Sequence, residues 1–449
     1  MPTNDHARME MEIAKLMAIQ ERTGFPFDLE AAVRVKGELQ QEYEETIEDV
    51  RTIIPTFPDK LANPKRNNKT KGWIAGAPFQ KLVDFNPTSR RHVAWGVTLL
   101  TNADFDWSRT SIDQAIEAVF PKVTPSGQPK VDEAVLQEIA DRALVDENPG
   151  LNAFVKKIIR CLTLQKWLGQ LSEGAMSWTK TVEADGRIHH SCTLNTVTGR
   201  QTHQGPNLGQ VNSSPWARQL FIPHEGMVMV GADLKGIEGR VMAHYLARYS
   251  DDFKNAILHG DIHQQNADRI GCSRSDAKTL LYAASYGAGD TKLGHSLRPE
   301  LCDSDKLALG KELRRKIMDA IPGMEQLIMG VRAKARMTGK LKALDGRPLY
   351  CRSEHGAWNT LCQSAGSCIS KRWLLIGQQM IDEAGYVYGK DYYRCAYIHD
   401  EQQFSVRPEI VEEFKQILID SAPPAGAYYN LRIIIEADAC HGANWAETH

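Results

Sequence analysis

The apolar run Met227 to Ala232 ends in Asp233, and a second strand-like run, Tyr393 to Val406, is interrupted by His399-Asp400-Glu401. β-Branched and apolar residues suit a buried strand, and a carboxylate at its end is costly to bury unpaired. A metal ion answers that cost. Two carboxylates on strand ends, with a long helical insert between them, point to a two-metal phosphoryl-transfer site. A helix read from Ile237 to Tyr249 brings Glu238 into its first turn, near Asp233, while Tyr393 to Val406 reads as a hairpin with His399-Asp400-Glu401 at its tip. Such hard oxygen ligands suit Mg²⁺, which takes its remaining ligands from water and substrate phosphates; Mn²⁺ is the natural substitute. Two ions roughly 3.5 to 4 Å apart activate an attacking hydroxyl and stabilise the leaving oxygen of an in-line displacement. One Asp at a strand end is most often a turn or cap residue, but the pair with a cationic helix between them is not.

That helix carries Arg274, Lys278, Tyr282 and Tyr286-Gly287 at four-residue intervals. At 3.6 residues per turn, such positions drift by only about 40° per step and form one stripe. The helix is expected to begin near Ser273 and to end at Tyr286-Gly287-Ala288-Gly289. Cations in its N-terminal half, where the helix dipole also favours anions, suit a nucleoside triphosphate, and the ring further along suits the base or sugar. Taken alone, the same stripe describes an amphipathic surface helix. His263, in Gly260-Asp-Ile-His, is a further candidate phosphate donor, although a lone histidine is more often structural.

With 449 residues the chain exceeds one ordinary core, so two or three subdomains are expected. An apolar fraction of 42% with 24% charged residues describes a soluble globular protein. No membrane span or signal peptide is legible, which implies a cytoplasmic location. Nine cysteines without a CxxC pair favour reduced, mostly buried thiols over disulfides or zinc. The net charge of −2 does not advertise nucleic-acid binding, but its distribution does. Leu151 to Arg218 holds eight cations against three acids, and Lys60, Lys65, Arg66, Lys69 and Lys71 cluster in a Pro/Asn/Gly-rich stretch.

Along the chain, Met9 to Ile19 and Leu29 to Val50 read as helices broken by the turn-like Thr23-Gly24-Phe25-Pro26. From Ile53 to about Asn86 a long loop or small insertion is expected. Helical periodicity returns from Val131 to Glu147 and from Leu151 to Leu171; Arg187 to Thr193 reads as a strand, followed by a loop from Thr198 through Gln210. The alternation argues for a mixed α/β architecture.

These residues resemble DNA polymerase family A, the DNA polymerase I family, and most closely the replicative polymerases of T-odd short-tailed phages. Its motif A is matched by Asp233-Leu-Lys-Gly-Ile-Glu238-Gly-Arg240, motif B by Arg274 and Lys278 through Tyr286-Gly287, and motif C by His399-Asp400-Glu401. Supporting matches run in the family's order: Phe85-Asn-Pro-Thr-Ser-Arg90, Thr198-Gly-Arg200 with Pro206-Asn207-Leu208, Leu344-Asp-Gly-Arg347, Asn359, Gln363 and Asn444-Trp445.

The resemblance implies a right-hand fold with an antiparallel-sheet palm, helical fingers and a helical thumb. The thumb region would be 1–175 with a short basic insertion near 53–84, the palm 176–245 and 359–449, and the fingers 246–358. Asp233 and Asp400 would hold the metals, with Glu401 accessory to catalysis. Arg274, Lys278 and His263 would contact the triphosphate, Tyr282 the sugar and base, and Glu238 would reject a ribose 2′-OH. Tyr286 would stack on the template side, and Arg200, Arg347, Asn359, Gln363 and His399 would contact primer-template DNA. The matching region begins at the first residues, so the proofreading exonuclease that precedes the polymerase in the phage relatives is expected to be absent from this sequence, either as a separate protein or because the sequence is a trimmed piece of a longer chain. The thumb insertion is much shorter than the segment with which those relatives bind a host thioredoxin, which argues against that processivity partner, although the basic stretch stands at the corresponding place. The alternatives are a single-subunit RNA polymerase, opposed by Glu238 and Glu401, a catalytically retired nucleic-acid-binding module, opposed by both aspartates and the full ladder, and a two-metal nuclease, which would need no such helix.

Overall fold

The computed structural model describes residues 5–70, 72–77, 79–101, 111–120 and 123–448. It divides into two units, one built from the N-terminal segment up to Val33 with Ala175–Arg298 and the chain from Asp303 onward, the other from Arg34–Gly174 with Pro299–Cys302. No described helix is long and apolar enough to cross a membrane.

The first unit is organised around a four-stranded antiparallel sheet in the order Tyr392–Ile398, Glu401–Val406, Val228–Leu234, Ala437–Gly442. The expected strand Met227 to Asp233 is present one residue later, at Val228–Leu234. It lies inside the sheet, paired on both edges, and the consecutive residues Met229 to Ala232 are all buried, so both faces are covered, which explains its near-continuous apolar sequence. Gly231 is required there, because a Cβ would overlap the Thr448 carbonyl oxygen packed over the strand. Against the sheet lies the helix Ala357–Glu383, whose Trp358, Ile369, Trp373 and Leu374 are fully buried; Trp373 satisfies its indole N–H on the Leu418 carbonyl at 2.8 Å. The N-terminal helix Asp5–Thr23 packs Met9, Ile13 and Met17 against Leu374 and Tyr397. Between the strands Val228–Leu234 and Tyr392–Ile398 runs the helical insert, which shares one continuous core with the sheet and includes Ile237–Leu246, Ile262–Ile270, Arg274–Ser285 and Met324–Thr338.

The second unit has its own core, with Trp95, Phe57, Phe85 and Phe154 buried among the helices Arg90–Leu100, Glu133–Val145 and Pro149–Leu168 and most of Leu29–Ile53. Its helix starts are capped by side chains: Ser111 and Gln114 form a reciprocal capping box, and Asn148 caps a helix whose first residue is Pro149. The stretch expected to be a long loop or small insertion from Ile53 to about Asn86 contains a two-stranded antiparallel sheet, Thr56–Ala62 with Phe79–Asp84. Lys71 of the basic cluster lies outside the described residues.

Other boundaries move for local reasons. The strand expected over Arg187 to Thr193 divides into Arg187–Ile188 and Ser191–Thr193, which pair with different partners, Phe25–Pro26 and Thr202–Gln204. The helix expected to reach Tyr249 ends at Leu246, and the one expected to reach Leu171 passes at Gly169 into a π-helical turn. None of the nine cysteines is in a disulfide, but only Cys161, Cys362, Cys368 and Cys395 are buried, so burial is not the general rule expected for them.

Candidate active site

Sheet register brings the two strand-end acids to one place. Asp233, next to last in its strand, pairs with Glu401 on one side and Asp438 on the other. The two-residue turn His399-Asp400 connects the directly paired Ile398 and Glu401, and Leu234 donates its N–H to the Asp400 carbonyl at 3.2 Å. Asp400 thus abuts the end of the Asp233 strand from the far side of the helical insert. His399 holds a left-handed backbone, φ +59°, a conformation that costs a non-glycine residue about 1 to 3 kcal/mol. Its carbonyl accepts from Ser370 Oγ at 2.6 Å, and since that uses the serine's only proton, Tyr397 donates to Ser370 at 2.8 Å. The turn is therefore fastened to the helix Ala357–Glu383.

The acids sit in a mixed field. Glu401 is 6% exposed, and one of its oxygens accepts from both Trp445 Nε1 at 2.5 Å and Gln403 Nε2 at 2.8 Å. Burial raises the pKa of Asp400, Glu238 and Glu401 push in the same direction, and Arg200 opposes them. Arg218 is 9% exposed and lies over the Trp445 ring at 4.9 Å; burial lowers its pKa while Glu401 and Asp233 oppose that shift. A buried guanidinium thus faces two of the acids. In the sequence Arg218 counted only toward a basic segment and Trp445 only toward a closing dipeptide. Nothing adjacent to Arg218 distinguishes it from a surface cation. Arg240 is structural here: its Nε donates to the Lys235 carbonyl at 2.8 Å, and it also holds the Ile434 carbonyl and the Glu436 carboxylate.

The cationic helix starts where its cap requires, with Ser273 Oγ accepting from Asp276 N at 3.1 Å, and ends at Ser285 before Tyr286. Tyr282 and Tyr286 stack at 6.2 Å, and His263 approaches Tyr282 at 5.9 Å. Burial, Lys278 and Arg274 all lower the His263 pKa, with Asp261 opposing, so these four groups share one surface. Asp261 binds Arg274 Nε at 2.6 Å while capping the helix Ile262–Ile270 through His263 N and Gln264 N, both at 3.0 Å. Lys278 is exposed. Burial and then Glu238 raise the Tyr282 pKa to about 12, and burial, Cys362 and Glu238 raise that of Tyr286. Glu238 is therefore within electrostatic reach of Asp400 and both tyrosines.

The remaining candidates surround the turn. Arg200 follows Gly199, whose φ of +79° and close approach, with a Cβ only 3.3 Å from Arg347 Nη1, both favour glycine. Arg347 is engaged within the protein, paired with Glu10 and Asp345 at 2.6 Å each; burial opposes its charge, but these acids raise its pKa. Asn359 and Gln363 are half-buried, one turn apart on Ala357–Glu383, and Asn359 Oδ1 has no hydrogen-bond partner among the described protein atoms. Cys362, beside Gln363, lies in the field of Glu238.

A family model described as DNA polymerase family A matches residues 110–447. The DNA-directed DNA polymerase of Enterobacteria phage T3 is 31% identical over 98% of this chain and 70% of its own length, and that of Escherichia phage T7 shows the same identity and coverage. Among solved structures, the POL domain of Pol1 from M. smegmatis, in complex with DNA primer-template and dNTP, matches with a TM-score of 0.74 at 20% identity, over 98% of this chain and 70% of that one. That last likeness is one of fold.

Proposed function

The chain belongs to DNA polymerase family A and is a DNA-directed DNA polymerase, and from that premise we propose that it extends a primer 3′-OH along a template with dNTPs, using Asp233 and Asp400 to hold two Mg²⁺ ions. The single observation that carries this assignment is the register that pairs Asp233 with Glu401 and sets Asp400 beside Leu234. The donor set suits Mg²⁺: these are hard carboxylate oxygens, and burial with neighbouring acids disfavours the charge of Asp400 until a cation compensates it. When bound, the ions supply positive charge to the attacking and leaving oxygens.

The chain's own groups do the rest. Arg274, Lys278 and His263 form the cationic surface for the triphosphate, with Asp261 orienting the Arg274 guanidinium. Tyr282 and Glu238 border the sugar, where an added 2′-OH meets the Glu238 carboxylate. Tyr286 offers its ring to the template side, and Arg200, His399, Asn359 and Gln363 line the path of primer and template, while Arg347, held by Glu10 and Asp345, supports the Gly199-Arg200 turn beside it. The second unit is read as the thumb, the sheet of the first as the palm and the helical insert as the fingers. The phage relatives support a role in phage DNA replication inside the host.

Primer extension with dNTPs, run beside rNTPs, tests the reading. Asp233→Ala and Asp400→Ala should each keep the fold and DNA affinity and lose extension by several orders of magnitude. A variant retaining more than roughly a tenth of wild-type rate, about 1.4 kcal/mol in barrier, would overturn the assignment of that residue.

A further inference from the structure

Behind the His399 turn, three groups that polymerisation does not use converge. Cys192 and His203 are directly opposite in the antiparallel pair Ser191–Thr193 and Thr202–Gln204, so their side chains share a face, and Cys192 Sγ lies 3.3 Å from His203 Nδ1. His190 precedes Cys192 by two residues, and its ring stacks on that of His203 at 5.5 Å. His190 is 1% exposed and His203 6%. One donor atom from each of the three residues lies within 4.8 Å of the others. From the helix Asp5–Thr23, Gln20 places its Nε2 3.2 Å from His190 Nε2 and 3.9 Å from Cys192 Sγ. Its Oε1 is buried and has no hydrogen-bond partner among the described protein atoms; turning the amide over exchanges the two ends and brings that oxygen onto the cluster.

We propose that His190, Cys192 and His203 bind a structural Zn²⁺ ion, with Gln20 Oε1 as the fourth ligand. Two imidazoles and a thiolate match zinc's borderline-soft preference, and Zn–N near 2.1 Å with Zn–S near 2.3 Å gives tetrahedral edges of about 3.5 Å, close to the Cys192–His203 separation. Small side-chain rotations close the remaining distance. Binding releases the Cys192 thiol proton to solvent as the sulfur–zinc bond forms. The absence of a CxxC pair hides the site in the sequence, since its ligands are a His-x-Cys on one strand, a His on the opposite strand and a Gln on a distant helix. The ion would tie the N-terminal helix to the strand pair whose connecting loop carries Arg200, and His203 sits 6.4 Å from the ring of His399.

The test uses the full chain, purified without metal-affinity resin and kept in excess Mg²⁺ so that the carboxylate site does not compete. Elemental analysis should find one zinc per chain. After chelation, added Co²⁺ should produce thiolate-to-cobalt charge-transfer absorption. His190→Asn, which keeps the thiol, and Cys192→Ser should each lose the zinc, and chelation should lower Tm by several degrees in wild type and not in the variants. The proposal is overturned if wild-type protein gives no thiolate–cobalt band, a result that does not depend on any variant folding. It is equally overturned if zinc stays with both variants, which would place the metal elsewhere.

Discussion

Trp445→Phe isolates the hydrogen bond that holds Glu401 beside Asp233. Trp445 is 1% exposed, and its indole N–H and the Gln403 amide share one oxygen of the buried carboxylate, at 2.5 and 2.8 Å. Phenylalanine keeps a ring under Arg218 and against Phe221, whose centroids lie 4.9 Å from the guanidinium and 5.3 Å from the Phe221 ring in wild type, and removes only the donor and part of the ring. A hydrogen bond to a charged group contributes about 1.5 to 3 kcal/mol; the smaller ring adds about 1 kcal/mol of lost burial. Opening of the sheet should therefore become easier by roughly 2.5 to 4 kcal/mol, read from hydrogen exchange of the Val230 to Asp233 amides, which reports this sheet without requiring the whole chain to unfold as one unit. Glu401→Gln supplies the control, because a neutral acceptor makes a bond about half as strong. In that background Trp445→Phe should cost about 1 kcal/mol less. If the cost is the same in both backgrounds within about 0.3 kcal/mol, the two side chains are not coupled through charge and the account of Glu401 is wrong.

Glu238→Ala should lower the preference for dNTP over rNTP in kcat/KM by roughly tenfold, since leaving a buried polar group unpaired costs about 1 to 3 kcal/mol, while Tyr282→Phe should leave that preference largely alone; unchanged ribose rejection in Glu238→Ala would remove its role at the sugar. Burial and nearby Arg187 depress the His224 pKa from 6.5 to about 4, with Asp185 opposing, so the unfolded chain takes up this proton first as pH falls. The native state should then lose stability between pH 6.5 and 4, by up to roughly 1.4 kcal/mol per pH unit for this group. Tm measured across that window should fall less steeply in His224→Asn, and an undiminished slope would count against the argument.

The parts of the site legible in the sequence are those whose signal is local. A strand-end aspartate, a helix start near Ser273 and a four-residue stripe each lie within one element, so local pattern locates the start of the helix Arg274–Ser285 to within a residue, while its end falls earlier than the Tyr286-Gly287-Ala288-Gly289 expected. What stayed hidden depends on register or on partners far along the chain. The strand Ala437–Gly442 has only one fully buried residue, too weak an alternation to announce an edge strand, yet its pairing closes the Asp233 strand on its second side. Arg218 is one more arginine in a basic stretch by sequence, and Arg347 a motif residue expected on primer-template DNA; the fold buries Arg218 over Trp445 and commits Arg347 to Glu10 and Asp345. Motif residues therefore differ in what their identity protects. Arg240 belongs to the same motif as Asp233, but its three contacts are two backbone carbonyls and Glu436, so replacing it should first loosen the helix Ile237–Leu246 against the segment around Glu436. Any loss of polymerisation would follow from displacement of Glu238 on that helix, and should appear in sugar selection as well as in rate. A change at Asp233 or Asp400 should instead reduce rate while leaving the helix in place.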